Sequence, residues 1–143
     1  MNKSGLKAQV SPDIKDRIWK KLIVNCVMNP LTTIFNVRNG ELAKCPDLIK
    51  SIVHELILVA NKEGLNYSEK EVFENIMNII KASKLNKSSM LQDIIKGRKT
   101  EIDFLNGAVV ELGKKHNINC HVNKNLIWMV GFLENKNLNK DRI

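Results

Sequence analysis

The chain has 143 residues, of which 43% are hydrophobic, 27% charged and 5% aromatic, and its formal net charge is +8. That length holds one domain with a substantial core, and that composition excludes collagen-like, low-complexity and wholly disordered chains. Seven glycines and three prolines leave few turns, which argues against many short strands and favours helices.

The first predicted elements are a short extended piece at 7–10 and a long helix behind it. Ser11-Pro12-Asp13 is a helix-entry sequence with proline at an early position. From Ile14 onward, apolar residues recur every three or four positions and form the wide stripe of a buried helix. Pro30 lacks a backbone N–H, so we expect this helix to kink or end there.

The middle of the chain predicts a turn and two more helices. Asn39-Gly40 is a turn sequence. A second helix is expected over Pro46–Lys62, because apolar residues keep helical spacing there and Gly64 follows as a stop. Ser68 with Glu71 three residues later has the form of a capping box and predicts the start of a third helix.

The last third of the chain has a weaker period. Residues 83–99 are polar, with a short helix expected over 90–95 and a loop at Gly97. Thr100 is the expected N-cap of a helix that closes at Gly113. A last helix is expected over 123–134, followed by a polar tail.

The positive charge is spread along the chain. Its longest clusters are pairs such as Lys20-Lys21 and Lys114-Lys115, so we expect a solvated surface and no nucleic-acid partner. No apolar run is long enough to span a membrane, and no signal-peptide sequence follows Met1. These features predict a cytoplasmic protein with no membrane partner.

The cysteines and histidines predict neither a disulfide scaffold nor a metal site. Cys26, Cys45 and Cys120 are odd in number and far apart in sequence. His116 and His121 lie near Cys120, but a metal site built there lacks a fourth ligand. We therefore expect no bound metal.

Three polar residues interrupt the apolar stripe of the first helix. Lys21, Asn25 and Asn29 are spaced by four, so they drift by only about 80° in total and form a polar ladder along one side. A buried amide without a partner costs about 1–3 kcal/mol. The ladder therefore either hydrogen-bonds neighbouring helices, which the spacing alone favours, or forms the wall of a ligand site.

A second polar cluster spans 88–93 and 97–103. Glu101 falls in the expected first turn of a helix, where the positive end of the helix dipole favours an ionised carboxylate. Taken alone, Thr100, Glu101 and Asp103 are ordinary first-turn residues.

Ordered segments carry a more specific signal than any of these residues alone. They are IWKKL (18–22), NCVMNPLT (25–32), NGEL (39–42), SSMLQD (88–93) and TEID (100–103), followed by NG (106–107). In this order and spacing they resemble the ketopantoate reductase (2-dehydropantoate 2-reductase) family over 14–133. The resemblance is to the family's C-terminal helical domain only. It implies an all-α helical bundle of the 6-phosphogluconate dehydrogenase C-terminal type.

The resemblance also implies roles for the polar residues. Lys21 would be the general acid that protonates the carbonyl oxygen of a 2-keto acid as hydride reaches the adjacent carbon. Asn25, Asn29 and Asn39 would hydrogen-bond substrate oxygens, and Ser89 would hold the carboxylate end. A cation near the developing alkoxide and neutral donors along the substrate agree with the needs of this reaction.

By the same resemblance, Glu101 would lie near Lys21 and touch the nicotinamide ribose, so we expect both to share one concave surface. Family members hold NADPH on a Rossmann domain, but no Gly-x-Gly-x-x-Gly sequence occurs among the seven glycines. We therefore expect 1–13 to be the remnant of a preceding nucleotide-binding domain and its linker. Residues 14–134 would form the helical substrate and catalytic domain, and 135–143 a polar tail.

The implied function is NADPH-dependent reduction of 2-dehydropantoate to pantoate in pantothenate and coenzyme A biosynthesis. The chain alone is expected to bind no NADPH tightly and to be inactive without a Rossmann domain. Two alternatives stay open: a stand-alone helical interaction module, such as a homodimer, and a subunit of a split 2-keto acid reductase. The second would dock on a separately encoded nucleotide-binding domain.

Overall fold

The computed structural model describes residues 11–138, and every regular element in that range is a helix. The α-helices are Pro12–Phe35 (α1), Pro46–Lys62 (α2), Glu69–Ala82 (α3), Ser89–Ile95 (α4), Asn106–Lys115 (α5) and His121–Leu138 (α6). Two 3-10 helices, Asn39–Lys44 and Ile102–Phe104, follow α1 and α4 respectively. The predicted all-α fold is confirmed. The extended piece predicted at 7–10 lies outside the described residues.

The core is built around α2, which contacts α1, α3, α5 and α6. Its buried apolar side chains are Ile49, Ile52, Val53, Leu56, Ile57, Val59 and Ala60. A smaller apolar cluster of Met90, Ile102 and Val130 joins α4, the second 3-10 helix and α6. Ile34 of α1 packs against both clusters, so α1 connects the two parts of the core. Among the described residues, no helix combines the length and apolarity needed to cross a membrane.

Several predicted boundaries are confirmed. α2 has the expected bounds Pro46–Lys62, and α3 begins after Ser68, whose Oγ accepts from the Glu71 backbone N–H at 3.3 Å. α4 begins one residue before the predicted position 90. Gly97 then adopts a φ of +71°, a left-handed conformation that glycine reaches without strain.

The prediction that α1 kinks or ends near Pro30 is wrong about its end, because the helix continues to Phe35. A proline inside a helix leaves the carbonyl four residues earlier without its N–H donor, and here that carbonyl belongs to Cys26. The Asn106 Nδ2 atom donates to the Cys26 carbonyl oxygen at 3.0 Å. A side chain 80 residues away thus replaces the hydrogen bond that Pro30 removes.

That contact belongs to a buried polar network across four helices. The Asn106 amide also donates to Asn123 Oδ1 at 2.9 Å, and Asn123 Nδ2 donates to Glu55 Oε1 at 2.7 Å. The Glu55 carboxylate further accepts the backbone N–H groups of Val122 and Asn123, both at 3.0 Å. The network therefore connects α1, α5, α6 and α2, and it caps the first turn of α6 from a neighbouring helix.

The single helix predicted from Thr100 to Gly113 is also wrong, since a 3-10 helix and α5 divide at Leu105, where φ is −103° and ψ is −95°. Because of this break, Ile102 packs in the smaller apolar cluster, while Val109 and Val110 of α5 pack in the main core. Thr100 is the N-cap of neither helix, because Glu101 precedes the 3-10 helix and Leu105 precedes α5. Its Oγ1 instead accepts from the Ile102 N–H at 3.3 Å.

Gly113 does not end α5, which continues to Lys115. A Cβ atom at Gly113 would lie 3.0 Å from both Cys120 Sγ and the Ile118 carbonyl oxygen, so glycine is needed here for close approach. Asn117, with a φ of +58°, supplies the left-handed turn that follows the helix.

The last helix is longer than the predicted 123–134. α6 begins at His121, where the Glu55 carboxylate satisfies the free N–H groups of its first turn. It runs to Leu138, so the tail predicted from 135 is helical over its first four residues.

The hydrogen bond from Asn106 to the Cys26 carbonyl, which Pro30 leaves without its helical donor, leads to a prediction about stability. Asn106→Ala should lower the free energy of unfolding by about 1–3 kcal/mol, because it leaves the buried Cys26 carbonyl and Asn123 Oδ1 without a donor. In a Pro30→Ala background the same change should cost less, since residue 30 then donates to Cys26 itself. Urea unfolding of the four proteins measures both costs.

Asn125→Ala, at an exposed position of α6, is the matched control and should change the free energy of unfolding by less than about 0.5 kcal/mol. An equal cost of Asn106→Ala in both backgrounds would contradict the proposed replacement of the missing hydrogen bond.

Candidate functional site

The polar ladder lies on α1 and becomes more buried along the helix. Lys21 is exposed, Asn25 is half-buried and Asn29 is 9% exposed. None of these three side chains has a hydrogen-bond or ion-pair partner among residues 11–138. The neighbouring helices therefore do not satisfy the ladder, which removes the interpretation that its amides serve the bundle.

α4 packs against α1, and a hydroxyl contact one turn beyond Asn29 joins them. Ser88 precedes α4 and acts as its N-cap, with Oγ accepting from the Leu91 N–H at 3.1 Å. The same hydroxyl lies 2.6 Å from Thr32 Oγ1, three residues beyond Asn29 on α1. This contact joins α1 to the residue that precedes Ser89, the first residue of α4. The Ser89 side chain is exposed and makes no hydrogen bond among the described residues.

Asn39 fixes the loop that leads to Ser89. It is 7% exposed, its backbone N–H donates to the Asn86 carbonyl at 2.9 Å, and its Nδ2 donates to Ser83 Oγ at 3.0 Å. Its Oδ1 is shielded from solvent and has no partner among residues 11–138. Asn39 thus ties the first 3-10 helix to the segment between α3 and α4.

Glu101 stands at the start of the second 3-10 helix, with an exposed side chain that forms no ion pair among the described residues. The segment that begins at Glu101 reaches Asn106, whose amide contacts the Cys26 carbonyl next to Asn25. The segment after Glu101 is therefore tied to the backbone of α1 at Cys26. Lys21 and Glu101 are not in direct ionic contact, so the two charges are free to meet other groups.

The cavity beside the first half of α1 does not include the ladder. It has a volume of about 460 Å³, lies on roughly the opposite side of α1, and is lined in part by Asp16, Lys20, Ile23, Tyr67 and Val72. Part of its polar wall is hydrogen-bonded internally: the Tyr67 hydroxyl donates to Asp16 Oδ1 at 2.8 Å, and this bond, with Lys20, lowers the pKa of Asp16. The ladder instead faces open solvent at Lys21, so any cleft above it needs a second wall.

No group of three or more His, Cys, Asp or Glu side chains within residues 11–138 is arranged to hold a metal ion. His116, one of the residues near Cys120 in sequence, bonds Glu63 instead, with 2.6 Å between Nε2 and Oε2. That hydrogen bond lowers the pKa of Glu63.

Sequence reasoning missed the residues that hold the site in place. Asn106, Thr32 and Glu134 each bond a partner that lies 34 to 80 positions away in the chain. Only Asn106 left a usable signal, because an internal proline at position 30 requires a replacement donor for the Cys26 carbonyl.

Comparison with known proteins identifies a family and several similar chains. The model of the family described as "Ketopantoate reductase PanE/ApbA C terminal" matches residues 13–134. The 2-dehydropantoate 2-reductase of Shigella flexneri is 42% identical over 118 residues, which cover 82% of this chain and 39% of that protein. The chain therefore spans about two fifths of the length of this relative.

Solved structures show the same partial coverage. D-mandelate dehydrogenase, solved with NADH and anilino(oxo)acetate, has a TM-score of 0.83 at 32% identity, covering 90% of this chain and 44% of that one. A PanE/ApbA family ketopantoate reductase from Ralstonia eutropha JMP134 has a TM-score of 0.78 at 31% identity, covering 84% of this chain and 41% of that one.

The unpartnered ladder predicts a small stability cost for its removal. Asn25→Ala and Asn29→Ala should each lower the free energy of unfolding by less than about 1 kcal/mol, because no bond is broken and alanine favours helix. Asn106→Ala, with two hydrogen bonds lost, is the matched comparison in the same urea experiment. A loss of 2 kcal/mol or more at Asn29 would show that the bundle depends on its amide.

Proposed function

The chain belongs to the ketopantoate reductase family, as its C-terminal domain, and on that premise we propose that it is the helical substrate-binding part of a 2-keto acid reductase. The proposed reaction converts 2-dehydropantoate to pantoate with NADPH, in pantothenate and coenzyme A biosynthesis. The observation that carries the proposal is the ladder of Lys21, Asn25 and Asn29, which becomes more buried along α1 and has no side-chain partner among residues 11–138. Amides on a largely apolar helix that no neighbouring helix bonds are available to hydrogen-bond a ligand.

The chemistry assigned to the ladder follows from its residue types. Reduction adds a hydride to the carbonyl carbon and a proton to the carbonyl oxygen, and reduced nicotinamide supplies the hydride when it is bound. Lys21 is the proposed proton donor, because its ammonium group stabilises the negative oxygen before and during proton transfer. Asn25 and Asn29 supply neutral N–H donors along the substrate, and Ser89, which follows the Ser88 that contacts Thr32 of α1, binds its carboxylate.

The proposed ligand contacts of Glu101 and Asn39 differ in how available their side chains are. Glu101 is exposed and unpaired, so it is available to touch the cofactor ribose and to order Lys21 once a ligand fills the cleft. Asn39 has its Nδ2 committed to Ser83 and its Oδ1 shielded, so a substrate contact there requires the loop at Ser83 to move. We therefore propose direct binding by the ladder and Ser89, with Asn39 contributing through that loop.

The solvent-exposed side of the ladder is consistent with a second domain that forms the other wall of the cleft. Ile14 and Ile18 lie within about 60° of Lys21 and Asn25 on the same face of α1, and they are 48% and 58% exposed. Such a face of apolar and catalytic side chains suits a covering domain, because proton donation to an alkoxide is more effective where water is excluded. We propose that a nucleotide-binding Rossmann domain, joined or separate, covers it.

The proton-donor role makes the main functional prediction. In an active reductase that combines this chain with a nucleotide-binding domain of the family, Lys21→Ala should lower kcat by about 10²–10⁴-fold, the usual scale for a positioned proton donor. Asn25→Ala should act mainly on KM for the keto acid. Steady-state kinetics with 2-dehydropantoate separates the two effects, and an unchanged kcat in Lys21→Ala would place the proton donor elsewhere.

The isolated chain is the control for this experiment. We expect it to show no low-micromolar affinity for NADPH by calorimetry and no reduction of 2-dehydropantoate, because the ladder is only one wall of the cleft. Lys20→Ala is the matched variant. Lys20 is the exposed neighbour of Lys21, and its Nζ atom lies 3.0 Å from Asp16 Oδ2, on a side of α1 away from the ladder. It should leave kcat within about twofold of the parent.

A second candidate function is self-association through α6. Phe104, Trp128 and Phe132 are 77%, 68% and 66% exposed, and Trp128 and Phe132 are four residues apart on the outer face of that helix. Large exposed apolar side chains in one region are typical of an interface. If α6 forms a homodimer, light scattering at rising concentration should show twice the monomer mass, and Trp128→Ser should return the protein to monomer. A monomer at every concentration would exclude this candidate.

A further inference from the structure

The carboxylate of Glu134 is largely shielded from solvent, and the proposed reaction does not use it. Its side chain is 11% exposed, near the end of α6, and its nearest cation is Lys99, with 3.9 Å between Nζ and Oε1. A carboxylate hidden from water is costly unless strong hydrogen bonds compensate for it. Its two strongest contacts are both to Thr100, whose backbone N–H and Oγ1 donate to Oε2 at 2.7 and 2.6 Å.

These contacts fix the backbone on one side of Glu101, and further bonds fix the other side. Thr100 Oγ1 accepts from the Ile102 N–H at 3.3 Å, so the hydroxyl bridges across Glu101. The Glu101 carbonyl accepts from the N–H groups of Phe104 and Leu105, at 2.9 and 3.1 Å. The backbone around Glu101 is thus held closely, while its own side chain stays exposed and unpaired.

Packing of α6 against the segment that contains Thr100 and Glu101 does not by itself require a carboxylate at position 134. The apolar cluster of Met90, Ile102 and Val130 already joins the same elements. An apolar residue at position 134 would add contact at a lower desolvation cost. What Glu134 adds is direction, because two charge-assisted bonds to one residue specify both the position and the orientation of the backbone at Thr100.

We propose that Glu134 and Thr100 are positioning residues that set where the Glu101 carboxylate stands for the bound nicotinamide cofactor. The inference rests on the proposed function, since it needs Glu101 to act on the cofactor. Glu134 touches neither substrate nor cofactor in this scheme. It acts through Thr100, and Thr100 acts through the backbone it shares with Glu101. Misplacement of a binding group by about 1 Å is enough to weaken its action substantially.

The test uses an active reductase that combines this chain with a nucleotide-binding domain of the family, and NADPH as the varied ligand. Glu101→Ala should raise KM for NADPH by about tenfold, and Glu134→Ala should raise it by a similar factor. The double variant should be no worse than either single one, because both changes remove the same interaction. Independent, multiplying effects of the two changes would overturn the inference.

Two further variants guard against simple loss of folding. Thr100→Val removes the hydroxyl but keeps the shape and the backbone N–H, and it should raise KM for NADPH by several-fold, whereas Thr100→Ser should recover most of that loss. Glu111→Ala, at a 70% exposed carboxylate on α5, is the matched control and should leave KM for NADPH unchanged. A Glu134→Ala protein that unfolds at a lower temperature but binds NADPH as before would assign Glu134 a purely structural role.

The outcomes separate this inference from the function beneath it. If Lys21→Ala abolishes turnover and Glu101→Ala raises KM for NADPH, while Glu134→Ala and Thr100→Val do not, the reductase assignment survives and the positioning role fails. If Glu101→Ala itself changes neither KM nor kcat, the proposed cofactor contact fails, and the positioning role fails with it.

Discussion

The hydrogen bond between Asn106 Nδ2 and the Cys26 carbonyl is the contact on which the rest of the bundle depends. It allows α1 to pass through Pro30 and to reach Thr32, where α4 docks. Through Asn123 the same amide is connected to Glu55 and so to the start of α6. Without a donor from outside the helix, a proline at position 30 would favour an α1 that ends early, and the site's two polar segments would lose their common support.

The polar side chains of the ladder, unlike those of the buried network, are not hydrogen-bonded to neighbouring helices. The Asn106 and Asn123 side chains are buried and each donates hydrogen bonds, although Asn106 Oδ1 accepts none from the described residues. Asn25 and Asn29 lie on a neighbouring face of α1, and their side chains have no partner in the described part of the chain. A bundle selected only for stability would gain from apolar residues at those two positions. The contrast on one helix separates residues that hold the fold together from residues kept free for a ligand, and this distinction is visible before any relative is considered.

Sequence patterning predicted what depends on local spacing. The bounds of α2 and the capping role of Ser68 follow from helical period and cap chemistry, both of which act over a few residues. The continuation of α1 past Pro30, the break at Leu105 and the early start of α6 depend on partners distant in sequence, so a local reading could not find them. The ladder was recognised from its spacing of four, but only the structure shows that neighbouring helices leave it unsatisfied. The domain boundary expected at 13/14 stays a prediction.

Two carboxylates, the buried Glu55 and the largely shielded Glu134, show how the fold orients a site that is open on one side. Glu55 holds the backbone N–H groups at the start of α6, and Glu134, near the other end of that helix, holds the backbone N–H and hydroxyl of Thr100. α6 is therefore fixed at one end to the central helix α2 and at the other to the segment that begins at Glu101. That segment returns to α1 through Asn106, beside Asn25, so hydrogen bonds join both of its ends to the helices that frame the site. An open cleft has no second wall that packs against its side chains and fixes their positions. Their geometry must therefore come from such directional bonds within the domain itself.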